Sequence, residues 1–139
     1  MVIALFLNEK SGFSFRPIQV CRLMSSLTDT CRELTWGQLA AWSSQAAVGA
    51  GHRIQQSGAV HSLMRTGEGL GLLAWVELEE PFAVLIEMEN NELFSRCTCN
   101  PMVAPCEHAV AVIIEYIVHL KRNIDIPATG SGDPRYYLI

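Results

Sequence analysis

Two spacings of apolar residues divide the chain, one typical of helices and one typical of strands. Residues 2–7 are continuously apolar and predict a buried strand. Apolar residues then recur at three- and four-residue intervals through residues 20–34, which predicts a single amphipathic helix. Thr35 and Gln38 form a capping-box pattern, which predicts a second helix that ends near residues 49–51, where two glycines occur. The first third of the chain is therefore expected to be mainly helical.

Two tryptophans, Trp36 and Trp42, fall within the second predicted helix. Aromatic side chains mostly contribute burial. We therefore expect both rings to pack between helices rather than to form a ligand platform.

The middle of the chain changes to short β-rich runs separated by turns about every ten residues, a spacing typical of an antiparallel meander. Thr66-Gly67-Glu68-Gly69 is one of these turns, and it is not a phosphate loop because no Lys-Ser or Lys-Thr follows. Four strands are predicted, over residues 59–65, 70–78, 82–88 and 92–99.

The last long apolar segment, residues 109–120, predicts a helix that is covered on nearly every side, since only Glu115 and His119 interrupt it. The expected fold class is α+β, with a four-stranded antiparallel meander packed on helices. After this helix, residues 129–134 have the composition of a flexible tail. The final residues, 135–139, are largely apolar and predict either a tail docked on the domain or a chain that continues in a longer protein.

Composition and charge narrow the class of protein. With 139 residues, of which 50% are hydrophobic and 17% charged, the chain can bury a core and does not have the composition of a disordered protein. The net charge of −4 argues against a general polyanion binder, because that affinity comes from Lys and Arg at phosphates; a local basic patch remains possible. The apolar start is too short for a membrane span, and an odd count of five cysteines favours a reducing compartment. We expect a cytoplasmic protein with no membrane partner.

Three cysteines and one histidine lie close together in the sequence, at Cys97, Cys99, Cys106 and His108. Thiolate sulfur and imidazole nitrogen are preferred zinc ligands, and structural zinc takes four of them. Residues two apart on a strand face the same side, so Cys97 and Cys99 are expected to reach one ion from the fourth strand. The pattern predicts a closed Zn²⁺ site that joins the last hairpin strand to the C-terminal core helix.

The alternative for this cluster is a nucleophilic Cys106–His108 pair, which would need an exposed thiolate and a third orienting group. The two neighbouring cysteines favour a metal instead. Because the protein fills all four positions, no place is left for a reactive water, and we expect a structural site, no enzymatic activity and no small-molecule substrate.

The order C-x-C, a six-residue loop and C-x-H leading into an apolar helix resembles the SWIM zinc finger family. The resemblance extends upstream over roughly residues 35–122, and it implies that Cys97, Cys99, Cys106 and His108 are the zinc ligands. It divides the chain into an N-terminal extension (1–34), a SWIM-type domain (35–122) and a C-terminal tail (123–139). Glu107 departs from the pattern, because many members have lysine between the last Cys and His.

The resemblance implies binding to DNA or to another protein, such as a Swi/Snf-type helicase, with which bacterial members are often associated. Nucleic-acid binding predicts that Arg53, Arg65, Arg96 and Lys121 cluster beside the zinc. Protein interaction predicts no such cluster but an exposed apolar patch, for which residues 136–139 are a candidate. The acidic charge and Glu107 favour the second function, and the family expectation favours the first.

Overall fold

The computed structural model describes residues 26–66, 71–99, 105–130 and 132–139. Within these ranges the fold is α+β, and one antiparallel sheet has the strand order β1-β2-β3-β4, which confirms the predicted meander. The first predicted strand, residues 2–7, lies outside the described residues. The elements are α1 (Leu27–Glu33), α2 (Trp36–Trp42), α3 (Gln45–Gln56), β1 (Val60–Arg65), β2 (Gly71–Glu77), β3 (Pro81–Glu89), β4 (Glu92–Cys97), α4 (Glu107–Lys121) and α5 (Arg135–Leu138).

Helix α4 lies at the centre of the core, as its apolar sequence predicted. It packs against α3 on one side and against the sheet on another, and it also contacts α1. Val110, Val112 and Ile113 are fully buried and belong to one cluster with Leu72 and Ile86 of the sheet. Among the helices of the described ranges, none has both the length and the hydrophobicity needed to cross a membrane.

The prediction of one helix over residues 20–34 is wrong, because the backbone is extended at Ser26. The Ser26 hydroxyl accepts a hydrogen bond from the Asp29 backbone N–H (3.0 Å) and so caps α1, which begins at Leu27. Apolar spacing alone did not reveal this cap, since Leu27 and Cys31 continue the stripe across the break. Residues before Ser26 lie outside the described ranges.

The second predicted helix is two helices. The capping box at Thr35 and Gln38 is confirmed, with both reciprocal hydrogen bonds present. The helix then stops at Trp42, and the hydroxyl of Ser44 caps a new helix, α3. Two serines in succession favour such a break, because their side chains satisfy backbone groups at helix ends.

Helix α3 continues to Gln56 through the glycines where a stop was predicted. A Cβ atom on Gly51 would lie 2.6 Å from Val110 Cγ1 and 2.9 Å from the carbonyl oxygen of Glu107. Gly51 therefore allows α3 to approach α4 closely, at a point just after the start of α4. The glycine serves packing rather than termination.

The hairpin between β3 and β4 closes through Asn90 and Asn91, which both have positive φ, 53° and 64°. Glu89 pairs with Glu92, so the loop has two residues and the backbone of a type I′ turn. Asparagine tolerates this conformation better than other residues with a Cβ. The turn fixes the register of β4, and with it the position at which Cys97 leaves the sheet.

The described residues of the C-terminal segment are docked on the domain, whereas the composition of residues 129–134 predicted a flexible tail. Ala128 forms a parallel bridge with Arg65 at the β1 edge, where the Arg65 N–H donates to the carbonyl of Pro127 (2.8 Å). Thr129 is buried, and its hydroxyl donates to Asp133 Oδ2 (2.7 Å). Of the two predictions for the chain's final residues, docking on the domain is confirmed.

Arg135 anchors this segment to an irregularity in β1. The register of β1 shifts between His61 and Met64, with Ser62 at a φ of 55°. Arg135 is only 2% exposed; its Nη1 donates to the carbonyl of Ser62 (2.6 Å), and its Nη2 pairs with Asp133 Oδ2 (2.7 Å). The Arg135 guanidinium holds the pKa of Asp133 well below its usual range.

This docking covers part of the sheet face opposite α4. Met64 pairs with Leu73, and Leu73 pairs with Leu85, so all three side chains lie on that second face. Arg135 Nη2 lies 3.2 Å from Met64 Sδ, which places α5 on the same face, and α5 contacts β3 there. Both Leu73 and Leu85 are buried. The sheet is therefore covered by α4 on one face and, in part, by the C-terminal segment on the other.

Candidate metal centre

The first cysteine of the cluster lies at the end of strand β4. Cys97 is the last residue of the strand and pairs with Val84, whose side chain is in the core. Cys97 therefore faces the side of the sheet on which α4 packs, and it is 4% exposed.

The second cysteine does not lie on the strand, so the predicted same-face argument is wrong in this detail. The chain turns at Thr98 and Cys99, and the Cys99 backbone N–H points at Cys97 Sγ (3.5 Å). Thr98 anchors the turn, because its N–H donates to the carbonyl of Ala83 (3.1 Å) and its hydroxyl accepts from the Ala83 N–H (3.1 Å). The turn, rather than strand alternation, brings Cys99 to the cluster.

The thiol of Cys106 and the imidazole of His108 lie at the start of α4. Cys106 is the N-cap residue, and His108 lies in the first turn with 6% exposure. The imidazole of His108 stacks on the ring of Phe82 at the start of β3, with centroids 4.3 Å apart and planes 19° from parallel. This stacking orients the imidazole.

Sequence reasoning did not single out Phe82. Phe82 lies two residues before Val84, the partner of Cys97, so the strand register places its side chain on the same face as Cys97. The register itself follows from the hairpin turn and was not readable from apolar alternation alone.

Four potential metal-ligand atoms converge at this junction. All lie within 4.8 Å of one another. Nδ1 of His108 is 3.5 Å from Cys97 Sγ and 3.7 Å from Cys106 Sγ. A tetrahedron with ordinary Zn–S and Zn–N bond lengths has edges of about 3.5–3.8 Å. The residues present therefore fit Zn²⁺, with Nδ1 as the nitrogen ligand.

The electrostatics of the cluster also suit a cation. A hydrogen bond from the Cys97 thiol is the main cause that lowers the pKa of Cys106 to about 3, and His108 contributes in the same direction. The pKa of Cys97 is raised in turn, because its proton is held between the two sulfurs and because the thiol is buried. Burial likewise raises the pKa of Cys99. Without a cation the cluster favours a single thiolate, and a bound divalent ion replaces the remaining protons.

Fold and site together define a small zinc-binding domain in which a Cys₃His set joins a sheet to a helix. Residues 76–117 match the family model of the SWIM zinc finger. The match runs from the end of β2 into α4 and includes the four ligands, but not α2, α3 or β1, to which the sequence resemblance was extended. No curated protein and no solved structure gives a significant match to the chain.

The four cations predicted to contact nucleic acid lie on four different elements: Arg53 on α3, Arg65 on β1, Arg96 on β4 and Lys121 at the end of α4. Strands β1 and β4 form opposite edges of the sheet. Lys121 follows His108 along a continuous helix by a rise of about 20 Å. The structure does not bring these four side chains together beside the cluster.

Two of these cations are directed away from the metal ligands. Arg96 pairs with Leu85, so it points to the sheet face opposite that of Cys97. The Nε of Arg65 donates to the carbonyl of Ile126 (3.0 Å) and helps hold the C-terminal segment at the β1 edge. Both are exposed, but neither faces the metal ligands.

Acidic residues surround the end of the sheet that carries the cluster. Glu79 and Glu80 are exposed in the turn between β2 and β3, at the end of the sheet where β4 delivers Cys97. Glu107 begins α4 and lies near enough to Cys99 to raise the pKa of that thiol, as a lesser cause than burial. These carboxylates disfavour a polyanion at this end of the molecule.

Proposed function

We propose that the chain is a SWIM-type binding module that recognises a protein partner, with a zinc ion that stabilises the fold and takes no part in catalysis. The observation that carries the choice of a protein partner is the charge around the zinc cluster. Glu79, Glu80 and Glu107 lie at this end of the sheet, while Lys121 is at the far end of α4. Nucleic-acid affinity needs several cations at neighbouring phosphates, and this surface offers mainly carboxylates.

The non-catalytic role of the metal follows from the ligand set. Catalytic zinc keeps a position for water or substrate, whereas Cys97, Cys99, Cys106 and His108 supply four protein ligands. His108 Nδ1 lies near the sulfurs of both Cys97 and Cys106, so these polar atoms serve the cluster and not a substrate. SWIM zinc fingers are in general binding modules, which agrees with this role.

DNA binding through Arg53, Arg65, Arg96 and Lys121 is the competing function, and the family resemblance of the sequence implies it as an alternative. A titration of the zinc-loaded protein with labelled single- and double-stranded DNA at low and at physiological salt separates the two. We expect no saturable binding at low salt. Saturable binding that weakens with added salt and is reduced by Arg96→Glu or Lys121→Glu would establish the nucleic-acid function instead.

A further inference from the structure

An open groove with a volume of about 730 Å³ lies between α2, α3 and the C-terminal half of α4. Its floor is apolar and is formed by Leu34, Leu39, Ile114 and Ile117. Its volume is within the range of about 300–1,000 Å³ that is typical of ligand-binding clefts. The groove runs away from the zinc cluster, since α4 starts at the cluster and lines the groove with its later turns.

Trp36 forms part of the rim of this groove and is 57% exposed, so the expectation that it packs between helices is wrong. Its ring meets the His52 ring edge-on, with centroids 5.3 Å apart, which holds the indole beside the opening. Exposed tryptophan next to an apolar floor is typical of interface hot spots. Trp42, in contrast, is used internally, because its indole N–H donates to the carbonyl of Leu93 (3.0 Å).

One end of the groove is basic. Lys121 and Arg122 both line it and are exposed, and neither forms an ion pair with any residue in the described ranges. The nearest acidic side chain along α4, Glu115, accepts a hydrogen bond from Gln55 (2.9 Å) and lies 3.4 Å from His119. The two cations thus remain available to an incoming anionic group.

We propose that this groove binds a peptide segment of a partner protein in which apolar side chains are combined with acidic ones. The apolar side chains enter between α2, α3 and α4 and contact Trp36, and the carboxylates pair with Lys121 and Arg122. This inference rests on the proposed protein-interaction function and names its surface and the chemistry of its partner. An apolar floor with a cationic end selects such a segment over a wholly apolar or a basic one.

The test begins with selection of random displayed peptides on the zinc-loaded 139-residue chain, followed by titration of labelled representatives. We expect the selected sequences to be apolar with Asp or Glu residues. Trp36→Ala is expected to weaken binding about tenfold, as is the Lys121→Glu/Arg122→Glu double variant. A peptide with Lys in place of its acidic residues should bind the double variant better than the original peptide does.

Phe94→Ala and Arg96→Glu are the matched controls. Phe94 is an exposed aromatic residue, and both residues lie on the sheet face opposite α4. Neither change should alter binding.

Each other outcome has a distinct meaning. Peptides that bind with equal affinity to the groove variants and are lost with the control variants would overturn the groove but keep a protein-interaction function. If the selection yields no binding peptide and the protein binds DNA in a salt-dependent way, both proposals are overturned. A tryptophan fluorescence signal that depends on protein concentration without peptide, and that is absent from Trp36→Ala, would show that a second copy of the chain occupies the groove, which also overturns the proposal.

Discussion

Single side chains in this molecule have roles that their residue types do not reveal. Gly49 and Gly51 are two residues apart in α3, and both look like helix-breaking positions. At Gly49 an added Cβ would meet only the end of the Arg53 side chain, at 3.7 Å, whereas at Gly51 it would collide with Val110 and with the backbone of Glu107. The difference comes entirely from the partner helix.

This contrast gives the first prediction. Gly51→Ala is expected to lower the free energy of unfolding by about 1–3 kcal/mol, because the methyl group forces α3 away from α4. Gly49→Ala, the matched control, is expected to raise it by about 0.5–1 kcal/mol through helix propensity. Chemical denaturation of both variants measures the effect, and equal shifts for the two would contradict the close approach.

The buried Asp133–Arg135 pair gives a second prediction at this scale. Asp133→Asn leaves the guanidinium of Arg135, 2% exposed, without its charge partner. We expect the free energy of unfolding to fall by about 3 kcal/mol at neutral pH, because removal of one partner leaves the other charge buried and uncompensated. Glu87→Gln, an exposed carboxylate on β3, is the control and should be nearly neutral.

The pH dependence of this pair has a definite sign. The pKa of Asp133 is lower in the folded chain, chiefly because of Arg135. Its stabilising contribution is therefore complete above the unfolded-state pKa of about 3.9 and is lost as the pH falls toward the folded-state value. The stability difference between wild type and Asp133→Asn should shrink on acidification below about pH 5. A difference that stays constant or grows would contradict the ion pair.

At the scale of elements, the structure is held by contacts at element ends. Asn90 and Asn91 close the last hairpin, Ser26 and Ser44 cap helices, and Cys106 begins α4. The zinc cluster joins two such ends, the last residue of β4 with the turn after it and the first turn of α4. A metal at this point fixes the direction in which α4 enters the core.

The element-scale prediction concerns this junction. Cys99→Ala is expected to reduce the zinc content of the purified protein to near zero and to lower the free energy of unfolding by at least about 3 kcal/mol, because structural zinc contributes folding free energy directly. Cys31→Ala is the matched control: Cys31 is fully buried in α1, outside the cluster, and its substitution should leave the zinc content unchanged. Metal analysis and thermal unfolding with and without chelator provide both measurements.

A zinc-free protein with an unchanged melting temperature would contradict a structural role for the site. Equal loss of zinc from the Cys31 variant would contradict the assignment of the ligands.

At the scale of the whole molecule, α4 connects two regions of different chemistry. Its first turn belongs to the zinc cluster, with acidic residues nearby, and its last turns line the apolar groove with Lys121 and Arg122. The sheet is covered on one face by α4 and, in part, on the other by α5 and the segment before it. In our proposal the zinc end stabilises the scaffold, and the opposite end carries the binding surface.

The sequence by itself determined the α+β class, the four-stranded meander, the buried character of α4 and the Cys₃His cluster that can bind zinc. These depend on local spacing: the period of apolar residues, turn residues between strands, and four metal-ligand side chains within a short segment. The capping box at Thr35 belongs to the same group, since both of its hydrogen bonds are local.

Only the tertiary structure decided why Gly51 is a glycine and how the C-terminal segment docks. It also decided that Trp36 is exposed beside a groove and that the predicted cations lie apart. The physical reason is common to all of these features. Each depends on atoms that are distant in sequence, such as Val110 beside Gly51 or Ser62 beside Arg135, and no pattern within one segment records such a contact.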